Sequence, residues 1–143
     1  MFRKLSEAVW VSPQITTEDV AAAAAQGIGL IINNRPEGES DDQTPGDAIA
    51  DSAAALGLAY VAIPVTHAGF SEGQVQQMAQ ALAEAKGGIL AYCRSGTRST
   101  LLWALAQAAT GTHPDDIARA AALAGYDIGP VRALVDMLAA GQN

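Results

Sequence analysis

Short apolar runs that alternate with alanine-rich segments constrain the fold of this sequence more than any other feature. Four of the runs have the length and content of buried strands, and they span residues 8–11, 29–33, 60–65 and 88–92. Strands that alternate with helices usually pair in parallel and are covered on both faces. The sequence therefore predicts an α/β fold with a central, mostly parallel sheet of about four to five strands and helices on both faces.

The alanine-rich segments carry the sequence signals of helix termini. Thr17 and Thr44 are predicted to cap the first two helices. Ser71 with Gln74 three positions later has the capping-box pattern, and His113 precedes a proline where a fifth helix would begin. The predicted helices span residues 18–26, 44–56, 71–86, 98–109, 113–124 and 130–140. Because no linker-like stretch interrupts this order, we expect one domain over residues 1–143.

Composition excludes several classes of function. The chain has 15 acidic and 8 basic residues and a formal net charge of −7, which argues against nucleic acid or an anionic membrane as its partner. One cysteine and two histidines distant from each other offer no metal-ligand spacing, and no dinucleotide fingerprint is present. We therefore expect neither a metal nor another cofactor. A lone thiol and the lack of a long apolar run predict a cytoplasmic location.

The strongest functional signal is a cysteine between a strand and a helix. The predicted strand at residues 88–92 delivers Cys93 to the carboxyl edge of the sheet, and residues 93–98 read CRSGTR. Backbone N–H groups at a helix N-terminus form a nest for an anion. The same dipole and a nearby guanidinium stabilise a thiolate. Cys93 is therefore predicted to be the nucleophile of an enzyme that binds an oxyanion.

The residues around Cys93 suit this chemistry. Arg98 can hold an anion through two donors, and Gly96 permits backbone angles that a side chain would obstruct. The predicted oxyanion-binding residues are Arg94, Ser95, Gly96, Thr97, Arg98 and Ser99, together with Arg35 from a second loop. The alternative is that Cys93 is only a small buried residue at the end of a strand. That alternative leaves two arginines and a glycine beside it unexplained.

Two residues in other loops have both a functional and an ordinary interpretation. Arg35 follows a predicted strand and could reach the anion, or it could form a salt bridge with Glu37 or Glu39 that holds its loop. His67 also follows a strand and could act as a catalytic acid, or it could simply be exposed to solvent. We therefore include His67 with Cys93 and Arg98 among the candidate catalytic residues.

Several segments of the chain carry a family resemblance. The cysteine loop resembles the active-site loops of cysteine-dependent phosphatases and of rhodanese sulfurtransferases. The wider chain resembles a bacterial family of provisionally assigned phosphatases, related to the domain that is fused to beta-lactamase-hydrolase-like proteins. The segments that carry this resemblance are VSPQ at 11–14, NNRP at 33–36, IPV at 63–65 and YCRSGTR at 92–98. The resemblance extends over most of residues 5–110, and it implies a dual-specificity-phosphatase-like fold.

The chain departs from the phosphatase pattern at three places. Protein-tyrosine phosphatases keep five residues between the cysteine and the arginine, whereas four separate Cys93 from Arg98, which is the rhodanese length. Tyr92 stands where a histidine usually precedes the cysteine. Thr66 and His67 stand where an aspartate acid is common. His67, or else Asp41 or Asp42, would have to replace that acid.

The resemblance implies one leading function and two alternatives. The leading function is hydrolysis of phosphate monoesters through a phosphocysteine intermediate on Cys93. The first alternative is a sulfurtransferase that carries a persulfide on Cys93 and needs no leaving-group acid; its partner would be a sulfur donor such as thiosulfate or a persulfide. The second alternative is a non-catalytic module that binds oxyanions. The expected partner is otherwise a small oxyanion or a phosphorylated substrate.

Overall fold

A mostly parallel sheet lies at the centre of the computed structural model, which describes residues 2–142. In this range the strands are β1 (Arg3–Lys4), β2 (Val9–Ser12), β3 (Ile28–Asn33), β4 (Ala59–Ala62) and β5 (Gly88–Tyr92). Their order across the sheet is β1-β2-β5-β3-β4. Only the short, exposed β1 runs antiparallel to its neighbour. The predicted α/β fold and its mostly parallel sheet are confirmed, and β1 is the strand that the sequence pattern did not predict.

Helices cover both faces of the sheet, as predicted. They are α1 (Thr17–Ala25), α2 (Gly46–Ala55), α3 (Glu72–Glu84), α4 (Thr97–Ala109), α5 (Pro114–Leu123) and α6 (Arg132–Ala140). The helices α1 and α2 pack in one buried cluster, and α3 to α6 pack in the other. Ser71 and Gln74 form the predicted capping box, and His113 accepts the predicted hydrogen bond at the start of α5. None of the helices within residues 2–142 is long and apolar enough to cross a membrane.

Two of the predicted helix caps are wrong. The side chain that caps α1 is Thr16 rather than Thr17. Thr44 does not cap α2, because the carboxylate of Glu37 accepts the hydrogen bond from the Gly46 N–H at 2.8 Å. A carboxylate is also the better partner for the positive end of a helix. The loop before α2 is therefore fastened to the helix that follows it.

The carboxyl ends of the four parallel strands lie at one edge of the sheet. Tyr92, the last residue of β5, is opposite Ser12 of β2 and Asn33 of β3. The strand β4 is shorter than the predicted 60–65, because beyond Ala62 the backbone makes isolated hydrogen bonds to Asn33, the last residue of β3, and to Asn34, which follows it. Loops that follow parallel strands at such an edge are the usual place for a site in α/β folds. Here those loops carry Arg35, His67 and Cys93.

Candidate active site

Cys93 directly follows β5 and lies at the N-terminal end of α4. Its side chain is buried, with 0% of the residue exposed. The backbone N–H of Gly96 donates a hydrogen bond to Cys93 Sγ at 3.1 Å. Gly96 is the N-cap of α4 and has φ = 91°. Residues other than glycine rarely adopt this left-handed conformation. The loop therefore turns a backbone donor toward the sulfur.

Arg98 lies in the first turn of α4, and the loops that follow β3 and β4 hold its guanidinium. Arg98 Nη1 donates to Glu39 Oε2 and to the carbonyl oxygen of Val65, both at 2.7 Å, and Nη2 donates to Glu39 Oε1 at 2.8 Å. The hydrogen bond to Glu39 raises the pKa of Arg98, and the neighbouring Cys93 raises it further. A guanidinium has five N–H donors, so two remain beyond these three bonds. Arg98 can therefore bind an anion close to the sulfur while Glu39 holds its other edge.

Arg35 is part of the same ion-pair network, and its side chain bonds to residues outside the cysteine loop. The residue is 4% exposed. Its Nε donates to Glu39 Oε1 at 2.9 Å, Nη1 to Gln14 Oε1 at 3.0 Å and Nη2 to Ser40 Oγ at 3.1 Å. Of the two interpretations given to Arg35, the salt bridge with Glu39 is the one that the structure contains. Arg35 thus fixes the carboxylate that in turn fixes Arg98.

Glu39 accepts hydrogen bonds from two guanidinium groups, and this determines its ionisation. The hydrogen bond from Arg98, helped by that from Arg35, lowers the pKa of Glu39 from 4.5 to about 2, against the opposing effect of burial. The carboxylate therefore stays charged at any physiological pH. Because its pKa is lower in the folded than in the unfolded chain, its stabilising effect is complete above about pH 4.5 and is lost as the pH falls toward 2.

We expect the substitution Glu39→Gln to lower the free energy of unfolding by roughly 3 kcal/mol near neutral pH. The difference from the wild-type protein should shrink as the pH falls from about 4.5 toward 2, because protonation removes the same charge from Glu39. Urea unfolding at several pH values measures this. Glu84→Gln, at the exposed end of α3, is the matched control. A difference that stays constant between pH 7 and pH 2.5 would contradict the assignment.

Of the other predicted oxyanion-binding side chains, three are exposed and one is buried. Ser95 and Thr97 are exposed and their hydroxyl groups hydrogen bond to each other at 3.0 Å at the mouth of the loop. Ser99 is buried and donates to Asn34 Oδ1 at 2.7 Å, so its hydroxyl proton points to the loop after β3. The side chain of Arg94 is exposed and makes no hydrogen bond with any residue in 2–142. The structure therefore places Arg98, and not Arg94, in the ordered network beside the sulfur.

The candidate acids lie in loops at the same edge of the sheet, and none of them hydrogen bonds to Cys93. His67 is exposed in the loop after β4, two positions beyond Val65, and it hydrogen bonds to no residue within the described range. Asp41 is likewise exposed. Asp42 accepts a hydrogen bond from Ser40 Oγ at 2.6 Å, which lowers its pKa. Asp42 is therefore an unsuitable acid, because it holds its proton weakly.

Two hydrogen-bonded contacts of the site are not predicted by the sequence pattern. The sequence predicts Glu39 only as a partner of Arg35, whereas in the structure it also binds Arg98. Tyr126, from the turn between α5 and α6, donates a hydrogen bond to the carbonyl oxygen of Ser95 at 3.1 Å. No local pattern marks a tyrosine so far along the chain as a neighbour of the cysteine loop.

Other features of the described residues carry none of this chemistry. A cavity of about 700 Å³ lies between α3 and the edge strand β4, lined by Leu30, Val61 and Ala81 among others, and no candidate site residue contributes to it. Within residues 2–142 no three histidine, cysteine, aspartate or glutamate side chains are grouped as metal ligands. The site therefore consists of a buried thiol, a backbone nest and an anchored arginine, which together suit nucleophilic attack on a bound oxyanion.

Comparison with known proteins identifies relatives that cover most of the chain. The sequence profile described as "Beta-lactamase hydrolase-like protein, phosphatase-like domain" matches residues 1–110. A beta-lactamase hydrolase-like protein from Xylella fastidiosa is 35% identical over 126 residues, which is 87% of this chain and 29% of that protein. The chain thus spans less than a third of the length of this curated relative.

Solved structures agree with this relationship. A provisionally assigned phosphatase from Neisseria meningitidis superimposes with a TM-score of 0.83 at 35% identity, over 95% of this chain and 96% of that one. PTPMT1 matches over the whole of both chains with a TM-score of 0.74 at 12% identity, which shows the fold alone. The predicted cysteine phosphatase-like fold is confirmed. The chain belongs to the family of phosphatase-like domains that occur in beta-lactamase hydrolase-like proteins.

Proposed function

We propose that the chain is a cysteine-dependent phosphatase that hydrolyses phosphate monoesters through a phosphocysteine on Cys93. The observation that carries this proposal is the position of the sulfur. Cys93 Sγ lies at the N-terminus of α4, where it accepts the Gly96 N–H at 3.1 Å, and Arg98 is anchored beside it by Glu39. The relationship to phosphatase-like domains supports the same class of substrate.

In the first step the Cys93 thiolate attacks phosphorus and forms an S–P bond while the bond from phosphorus to the ester oxygen breaks. The loop N–H groups and Arg98 stabilise the charge on the non-bridging oxygens. The leaving alcohol takes a proton, which we assign to His67 because its loop begins at the Val65 carbonyl that holds Arg98. Because Cys93 is fully buried in this structure, the incoming oxyanion has to open the mouth of the loop to reach the sulfur.

In the second step water attacks the phosphorus of the phosphocysteine. The S–P bond breaks and the thiolate leaves. Inorganic phosphate is released, and one of its oxygens comes from the attacking water. The same N–H groups and Arg98 bind the phosphoryl oxygens throughout, so no new charge-stabilising group is required. The proton lost by the attacking water goes to His67, which is restored to its protonated form.

A sulfurtransferase is the second candidate, and it is favoured because no carboxyl or imidazole group within residues 2–142 hydrogen bonds to Cys93. In that reaction Cys93 attacks the outer sulfur of thiosulfate, an S–S bond forms, and sulfite leaves without needing a proton. The resulting persulfide then passes its outer sulfur to a thiol acceptor. The four-residue spacing between Cys93 and Arg98 also suits this smaller group.

Cys93 has to stay reduced in either reaction, and this bears on where the domain acts. It is the only cysteine of the chain, so no second thiol of the same chain can protect it as a disulfide. We therefore propose a reducing compartment, the cytoplasm, for its activity.

Mass spectrometry of the trapped protein tests the proposal. After a brief reaction with an aryl phosphate and an acid quench, we expect a phosphoryl group on the peptide that contains Cys93. The same protein treated with thiosulfate should show no added sulfur, and Cys93→Ser should show neither adduct.

Each other outcome points to a different function. A single added sulfur on Cys93, without phosphoryl transfer, would replace the phosphatase with the sulfurtransferase. If neither adduct forms while phosphate or vanadate still raises the melting temperature of both the wild-type protein and Cys93→Ser, the chain is a non-catalytic module that binds oxyanions.

A further inference from the structure

One peptide group connects Tyr126 with the sulfur of Cys93. The Tyr126 hydroxyl donates to the carbonyl oxygen of Ser95 at 3.1 Å, and the N–H of Gly96 donates to Cys93 Sγ at 3.1 Å. That carbonyl and that N–H belong to the same peptide unit, between Ser95 and Gly96. Because the C=O and N–H of a trans peptide point in opposite directions, a donor that fixes the carbonyl on one side also aims the N–H on the other.

Tyr126 is itself held in place. The guanidinium of Arg3 lies over its ring, 5.4 Å from the centroid, and Arg3 Nη1 donates to the carbonyl oxygen of Ala124 at 3.0 Å. The backbone N–H of Tyr126 donates to the carbonyl oxygen of Ala121 at 2.9 Å. Burial raises the pKa of Tyr126, so its hydroxyl keeps the proton that it donates. The tyrosine is therefore an ordered donor and not a freely rotating surface side chain.

Tyr126 packs so closely against Gly96 that no space for a side chain remains at that position. A side chain at position 96 would collide with the Tyr126 hydroxyl and with the end of its ring. The left-handed conformation of Gly96 already disfavours any other residue there. The close approach of Tyr126 is thus a second, independent requirement for glycine, and it places the hydroxyl directly against the peptide that faces the sulfur.

We propose that Tyr126 is a positioning residue that orients the Ser95–Gly96 peptide and thereby stabilises the Cys93 thiolate. A hydrogen bond to a carbonyl also polarises the N–H of the same peptide, which strengthens the bond on the other side. The catalytic consequence of this contact rests on the proposed function. The effect of Tyr126 on the ionisation of Cys93 does not rest on it, since that effect concerns the free protein.

The other charged groups around the sulfur come from different elements. Arg98 approaches from α4 with Glu39 bound to it, and Arg3 comes from β1 and lies over the Tyr126 ring. The substitution Tyr126→Phe removes the hydroxyl and leaves the ring on which Arg3 stacks. It therefore isolates the hydrogen bond to Ser95 from the rest of the electrostatic environment of Cys93.

Ultraviolet absorbance of the thiolate near 240 nm, measured against pH, tests the proposal on the whole chain. Since the chain has one cysteine, subtracting the matched Cys93→Ser form of each variant leaves the signal of Cys93 alone. We expect Tyr126→Phe to hold about three- to tenfold less thiolate than the wild-type protein at a pH below half-ionisation, because one net hydrogen bond is weakened. The matched control is Tyr92→Phe. That change removes a buried phenol hydroxyl next to Cys93 that has no partner in hydrogen-bonding geometry among residues 2–142.

A thiolate titration of Tyr126→Phe that coincides with the wild-type curve would overturn the proposal, and so would an equal change in Tyr92→Phe. A second variant, Arg3→Leu, should give a smaller decrease in thiolate because it loosens Tyr126 without removing its hydroxyl. Phosphate-ester turnover is measured separately on the same proteins. If Tyr126→Phe holds less thiolate but the wild-type protein hydrolyses no phosphate ester, the role of Tyr126 stands and the phosphatase proposal is rejected. If the wild-type protein hydrolyses the ester but the thiolate titration of Tyr126→Phe is unchanged, the phosphatase proposal stands and the role of Tyr126 is rejected.

Discussion

Replacement of Arg98 by lysine is expected to lower kcat for phosphate-ester hydrolysis about 100- to 1,000-fold, the effect of losing a positioned oxyanion donor. Arg98 uses one edge of its guanidinium to bind both carboxylate oxygens of Glu39, and it has N–H groups left for an anion. A lysine ammonium is a single point charge and cannot serve both partners with fixed geometry. The charge would remain, but Glu39 would draw it away from the oxyanion.

Arg94→Lys is the matched control for this experiment, because Arg94 is the other arginine of the loop and its side chain is exposed. Its loss of kcat should be clearly smaller than that of Arg98→Lys. Steady-state kinetics with an aryl phosphate measures both, and thermal unfolding shows whether each variant is folded. Equal losses in the two variants would mean that the roles of the two arginines are assigned wrongly.

The regular part of the fold follows from local sequence patterns. Each strand of the parallel core is a short apolar run, and the strand Gly88–Tyr92 has the predicted bounds. The predicted helix after Cys93 begins one residue earlier than expected, at Thr97. These elements follow from the period of apolar residues and from capping residues, which are properties of contiguous sequence. The short strand β1 could not be predicted, because its two exposed residues form no alternating apolar pattern.

The errors occur where a distant residue replaces a local signal. Thr44 has the residue type of a cap, but Glu37 reaches the first N–H of α2 from the preceding loop. Beyond Ala62 the apolar sequence continues to Val65, yet the backbone there makes isolated hydrogen bonds to the last residue of β3 and to the residue after it. In both places the loop conformation decides the outcome, and the period of the sequence carries no information about it.

The same distinction explains which parts of the candidate site could be predicted. Cys93, Gly96 and Arg98 are contiguous, so the strand–loop–helix pattern indicates their chemistry directly. Glu39 and Tyr126 reach them from loops distant in sequence, and their positions depend on how the helices pack against the sheet. The anchoring of Arg98 and the orientation of the Ser95–Gly96 peptide therefore emerge only from the structure.

The largest variant effect that depends on the substrate is expected for His67→Ala. Protonation of the leaving group contributes about 10²- to 10⁴-fold, and it matters most for a poor leaving group. If His67 supplies the proton, His67→Ala should lower kcat/KM for an alkyl phosphate by about 100-fold or more. An activated aryl phosphate, whose phenolate leaves without a proton, should keep almost the wild-type kcat/KM, because this parameter reports only the steps up to release of the leaving group.

The contrast between the two substrates is the test, because a structural defect would lower both activities alike. His113→Ala is the matched control, since His113 is the only other histidine and its side chain accepts a hydrogen bond from the N–H of Asp115 at the start of α5. Transfer of sulfur from thiosulfate, if it occurs, should not respond to His67→Ala because sulfite leaves without a proton. Unchanged turnover of the alkyl phosphate by His67→Ala would remove His67 from the mechanism. A chain with no acid would then fit sulfur transfer better than ester hydrolysis.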